Sequence, residues 1–96
     1  WPKTAKTPEI SLPCPDNIKF AVVEKAQAYF RKKYEVSEID GVRVILPNGW
    51  GLVRASNTQP ALILRFEAES QEAMDALRKD MEAPLKGWIE ELGGHK

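Results

Sequence analysis

Ninety-six residues suit one domain, and a chain of this size buries roughly two-thirds of its extended-chain surface, enough for one core. Fourteen basic residues balance fourteen acidic ones, which argues against a dedicated nucleic-acid binder, whose affinity rests on a basic face. One cysteine, Cys14, and one histidine, His95, exclude an internal disulfide and a structural zinc site and fit a reducing compartment; no apolar run reaches the roughly 18 residues of a membrane span, and no leader pattern opens the chain. A soluble, cytoplasmic domain is expected, and its start at Trp1 reads as processing or as a piece of a longer protein.

The opening, WPKTAKTPEISLPCPDN, holds Pro2, Pro8, Pro13 and Pro15. Proline has no backbone N–H and a fixed φ, so this stretch predicts a linker or hinge over residues 1–8 and then a short edge strand from Glu9 to Leu12. Asp16 is placed to cap a helix. Val22, Val23, Ala26, Tyr29 and Phe30 fall on one stripe and predict that helix from Ile18 to about Lys33. Arg31, Lys32 and Lys33 then complement its dipole and stay solvated. Asp40-Gly41 predicts a turn, Val42 to Leu46 a strand, Asn48-Gly49 a type I′ hairpin, and Trp50 to Arg54 the return strand. Ala61 to Ala68 is the longest apolar strand, with Leu62, Leu64 and Phe66 on one face and Ile63, Arg65 and Glu67 on the other. Ser70 begins the last helix, whose apolar face is Met74, Leu77, Met81, Leu85, Trp88 and Leu92. Pro84 is expected to kink or end that helix, and Gly93-Gly94 to close it before a disordered tail, residues 93–96, that includes His95.

The predicted order is β-α-β-β-β-α. It implies an α+β fold: a four-stranded, mostly antiparallel sheet with two helices packed on one face. The other face is then partly bare and suits a partner or a neighbouring domain.

Between the second and third hairpin strands lies RASNTQP, residues 54–60. Arg54 offers a planar fork able to meet two phosphate oxygens, Ser56 and Thr58 offer hydroxyls, and Asn57 an amide. No Asp or Glu lies between Gly49 and Phe66 to repel an anion, and Arg65 is a candidate second cation. The same residue types also build ordinary turns, and composition alone leaves the plain turn as the simpler reading. A Walker loop is absent, so a nucleoside triphosphate site is not indicated.

TPEI at 7–10, DGVRV at 40–44, GWGLVRASNTQP at 49–60 and LILRFEAES at 62–70 together resemble the α-D-phosphohexomutases, bacterial phosphomannomutase/phosphoglucomutase type. The likeness covers nearly the whole chain and corresponds to that family's C-terminal, fourth domain. In such isomerases a phosphoserine passes its phosphoryl group to a hexose phosphate, and the 1,6-bisphosphate returns the other one. The resemblance implies that residues 9–92 form a domain that binds the non-reacting phosphate of mannose or glucose 1- or 6-phosphate, or of the bisphosphate, and closes over the cleft. By position, Arg54, Ser56, Asn57 and Thr58 carry the grip, with Arg65 a possible secondary contact. The catalytic serine, the Mg2+ loop and the sugar-recognition loop belong to other domains. The chain alone is therefore expected to be inactive, with no catalytic residue, metal or cofactor of its own. Its expected partners are the phosphohexose and the other domains, with neither nucleic acid nor membrane. Gln59, where Thr or Glu is common, and Pro84 depart from the family pattern. Two rivals remain: a non-enzymatic α+β interaction module for nucleic acid or protein, and a free-standing phosphate-handling enzyme. The second lacks any visible nucleophile–base pair beyond Cys14, His95 and scattered carboxylates.

Overall fold

A computed structural model describes residues 5–39 and 41–93. The strands are β1 (Ala5–Lys6), β2 (Ile10–Pro13), β3 (Glu35–Ser37), β4 (Val42–Leu46), β5 (Gly49–Ala55) and β6 (Ala61–Ala68); the helices are α1 (Lys19–Lys33) and α2 (Gln71–Gly93). All pairings are antiparallel. Strands β6, β5, β4 and β3 lie side by side, while β1 and β2 follow one another along the outer edge of β6.

The α+β class and the layer of two helices agree with the expectation; among the described residues the strand count is six rather than four. The additions, β1 and β3, are two and three residues long, too short to show alternation. Part of the expected linker is thereby tied down. Ala5 pairs with Ala68, Thr7 N–H donates to the Phe66 carbonyl at 2.9 Å, and Phe66 N–H donates to Thr7 Oγ1 at 3.1 Å. Residues 1–4 lie outside the described residues.

One sheet face is dry. Val42, Val44, Val53, Leu62, Leu64 and Phe66 meet Val22, Ala26 and Phe30 of α1 and Met74, Leu77, Met81 and Leu85 of α2. Each fully buried aliphatic or aromatic side chain of this kind is worth about 1.5–3 kcal/mol relative to exposure. The rings of Tyr29 and Trp88 meet edge-on at 5.4 Å between centroids, which locks the two helices together. Among the described residues no helix covers the opposite face, although Ala61 and Ile63 are buried at its loop end. It carries Ile45, Leu52 and Arg65, with the Arg43 guanidinium 4.8 Å above the Trp50 ring.

Several local expectations are corrected. Asp16 does not cap α1: Ile18 occupies the cap position without a side-chain bond, and Asp16 pairs with the Lys19 ammonium at 2.9 Å. The helix start is organised instead by the Pro15 carbonyl, which accepts from the Ile18 and Lys19 N–H groups at 3.1 Å each. The hairpin is not type I′ over Asn48-Gly49. Leu46 pairs with Gly49, so the two-residue connection is Pro47-Asn48. Among the described residues the only positive φ is at Gly41, +71°. Gly49 is glycine because the β6 backbone at Glu67 and Ala68 occupies the space a Cβ would need. Helix α2 does not end at Pro84 but runs through it to Gly93. A missing ladder donor and ring clash cost about 3 kcal/mol, and the full burial of Met81 and Leu85 on either side offsets that. Gly93 is thus helical, not tail, whereas Asp40, Gly94 and His95 lie outside the described residues. Ser70 does cap α2, its Oγ accepting from the Ala73 N–H at 3.0 Å.

Candidate functional site

The connection from β5 to β6 is organised from within and from below. Ser56, nearly buried, accepts the Thr58 and Gln59 N–H groups on its Oγ at 3.3 and 3.1 Å, a side-chain turn that rounds the loop. Its own N–H donates to the Ala61 carbonyl at 2.9 Å, and Ala61 N–H donates to Gln59 at 2.8 Å. From outside the loop, Cys14 N–H donates to the Pro60 carbonyl at 2.9 Å. The Lys19 ammonium donates to the carbonyls of Ser56 at 2.6 Å and Gln59 at 3.1 Å.

Arg54 stands on β5 opposite Ile63. Its position depends on Gly41, which lies so close against β5 that a Cβ there would strike the Val53 carbonyl and the Arg54 backbone. Gln27 of α1 fixes that glycine by donating to its carbonyl at 2.9 Å. The guanidinium sits 3.6 Å from the Glu9 carboxylate, and both side chains keep contact with solvent, 32 % and 57 % exposed. A screened pair of that kind is worth no more than about 1 kcal/mol, so Glu9 is an exchangeable neighbour.

Arg54, Ser56, Asn57 and Thr58 come together around one concavity of about 380 Å³, which Glu9 and Gln59 also line. On its other side, Arg54 and Asn57 border a second concavity of about 340 Å³ with Phe20, Glu24 and Gln27 of α1. Among the described residues, neither the Asn57 amides nor the Thr58 hydroxyl has an internal hydrogen-bond partner. The site therefore offers a cationic fork, a hydroxyl and amide donors that the fold has not used. Arg65 is not brought in. It shares the open face with Arg54 but pairs with Leu52, and neither concavity includes it.

Two features escape a reading of the loop itself. Carboxylates are present after all, since Glu9 and Glu24 arrive from distant segments. Lys19 is buried beneath the loop, and its signal was available: a cation in the first turn of a helix opposes the dipole and needs a compensating partner. Cys14 is a core residue whose thiol is pushed up chiefly by burial, which makes it a poor nucleophile at neutral pH. Among the described residues no His, Cys, Asp and Glu side chains gather into a metal-ligating group, and no helix is long and apolar enough to cross a membrane.

Residues 9–83 match the profile of the phosphoglucomutase/phosphomannomutase C-terminal domain. A phosphomannomutase/phosphoglucomutase of Pseudomonas aeruginosa is 41% identical over 87 residues, covering 90% of this chain and 19% of that protein. A phosphoglucomutase of Neisseria meningitidis is 40% identical over 88 residues, covering 88% of this chain and 19% of its own length. The crystal structure of a phosphoglucomutase/phosphomannomutase family protein from Burkholderia thailandensis superposes with a TM-score of 0.71 at 40% identity, over 90% of this chain and 18% of that one. The chain thus spans about a fifth of the length of the proteins it matches.

Proposed function

The chain belongs to the phosphoglucomutase/phosphomannomutase family as its C-terminal domain, and on that premise we propose that it grips the non-reacting phosphate of a hexose phosphate during phosphoryl transfer. The substrates in this reading are mannose or glucose 1- or 6-phosphate and the 1,6-bisphosphate between them. One observation carries it: Arg54, Ser56, Asn57 and Thr58 line one concavity, on a loop whose internal bonds leave the Asn57 and Thr58 donors unspent.

Holding a remote phosphate converts binding free energy into orientation of the reacting oxygen. A phosphate is nearly symmetric, so one loop serves a sugar presented in either direction. The guanidinium fork meets two phosphate oxygens, and the incoming dianion displaces the loosely paired Glu9 carboxylate. The catalytic phosphoserine and the Mg2+ that assists it belong to the rest of the protein, so this chain alone is inactive. In the assembled cytoplasmic enzyme the domain closes over the cleft once the phosphate is seated.

A titration of the ¹⁵N-labelled chain with glucose 1-phosphate tests the grip. Shifts are expected at residues 54–58, at about millimolar affinity for so few contacts. In the full-length enzyme, Arg54→Ala should lose about 1.5–3 kcal/mol of transition-state stabilisation, about 10- to 150-fold in kcat/KM. A change below about twofold refutes the assigned role.

A further inference from the structure

Lys19 is the first residue of α1, where the helix dipole disfavours a cation. It is nevertheless buried, its side chain only 7 % exposed, and its three ammonium protons face three acceptors: Ser56 O at 2.6 Å, Gln59 O at 3.1 Å and Asp16 Oδ1 at 2.9 Å. No proton remains for a ligand, so Lys19 is not itself an anion contact. Its effect is on the backbone. A trans peptide is planar, with C=O and N–H pointing in opposite directions. Drawing the Ser56 carbonyl inward onto Lys19 therefore turns the Asn57 N–H outward, and that N–H has no internal acceptor among the described residues.

Resting on the phosphate reading of the loop, we infer that Lys19 is a positioning residue: it fixes the Ser56–Asn57 peptide so that the Asn57 N–H, and not the Ser56 carbonyl, faces the anion. Without the ammonium no donor among the described residues holds the Ser56 carbonyl, and rotation of that one peptide would present a lone pair to the phosphate. The Gln59 carbonyl, held by the same ammonium, anchors the far side of the turn; it precedes Pro60, which has no N–H to redirect.

The test compares the ¹⁵N-labelled wild-type chain with Lys19→Met, using Lys25→Met as a control that removes an equal charge from an exposed position on α1. The probe is inorganic phosphate, and the readouts are its Kd, the phosphate-induced shift of the Asn57 amide, and hydrogen exchange at Thr58 and Gln59. Lys19→Met should weaken phosphate roughly fivefold or more, abolish the Asn57 shift and speed loop exchange about tenfold, with Lys25→Met unchanged. Phosphate affinity within about twofold of wild type, or unaltered loop exchange, overturns the inference. A wild-type chain whose loop amides ignore phosphate is a different failure: it overturns the phosphate reading, while the exchange comparison still decides whether Lys19 holds the loop. If Lys19→Met does not fold, the wild-type ammonium resonances decide. The Lys19 protons should exchange with water more slowly than those of Lys25, and equal rates overturn the inference.

Discussion

Two glycine-to-alanine substitutions, each adding one methyl group, should move stability in opposite directions. At Gly41 the backbone has φ +71°, and a Cβ would collide with the Val53 carbonyl and the Arg54 backbone. The left-handed conformation costs an L-residue about 1–2 kcal/mol. Relieving an overpacked contact costs about 1–3 kcal/mol more. The sum, about 2–5 kcal/mol, is a large share of the roughly 5–15 kcal/mol that holds a domain folded. At about 4–8 °C per kcal/mol for a chain of this length, Gly41→Ala should lower Tm by at least about 8 °C. Gly87 is different: it is exposed within α2, and nothing lies within 4 Å of its hypothetical Cβ. Gly87→Ala should gain about 0.5–1 kcal/mol from helix propensity and raise Tm by about 2–8 °C. Circular dichroism melts of both variants against wild type check the pair. A Gly41→Ala melt within about 2 °C of wild type would refute the claim that β5 leaves no room beside it.

Other outcomes follow from single contacts. Glu9→Gln removes the carboxylate that competes for Arg54, and since the screened pair is worth at most about 1 kcal/mol, phosphate should bind up to about fivefold more tightly; weaker binding in the same titration contradicts the competition. Glu38 accepts two hydrogen bonds from Arg31, at 2.8 and 2.9 Å, and these hold its carboxyl below the ordinary glutamate range. A depressed folded value contributes stability above the unfolded pKa that is lost as pH falls through the folded one. Arg31→Met should therefore return the Glu38 carboxyl to its ordinary range in an NMR titration, and an unmoved midpoint contradicts the pairing.

Long strands and helices were legible from the sequence because burial on one face writes a period into it. Val42 to Leu46 alternates, Leu64 to Ala68 alternates after a continuously buried start at Ala61 to Leu64, and Met74 to Leu85 repeats at helical spacing over a face that is buried. The misreadings arose where a neighbour in space overrode a local signal. Asn48-Gly49 has the composition of a type I′ turn, yet the approach of β6 is what demands Gly49, and Pro47 takes the first place in the turn. Pro84 has a strong local preference to stop a helix, and the packing of Met81 and Leu85 outweighs it. The polar loop was visible as a cluster of donors. What holds it was not, because Lys19 lies 37 residues before Ser56 and 40 before Gln59. Chain position says nothing of such meetings unless a residue looks misplaced at home, as a cation at a helix start does.

The outer edge of β6 carries a kinetic consequence. Ala5 meets Ala68, and Pro13 meets Ala61, so this edge closes only by joining the first residues of the chain to a strand made much later. Contacts of such sequence separation require the entropy of a long loop to be lost before any stabilisation returns, which slows folding. During synthesis the N-terminal strands must wait unpaired until β6 has left the ribosome, and a truncated product ending before residue 61 would display two short strands with nowhere to dock.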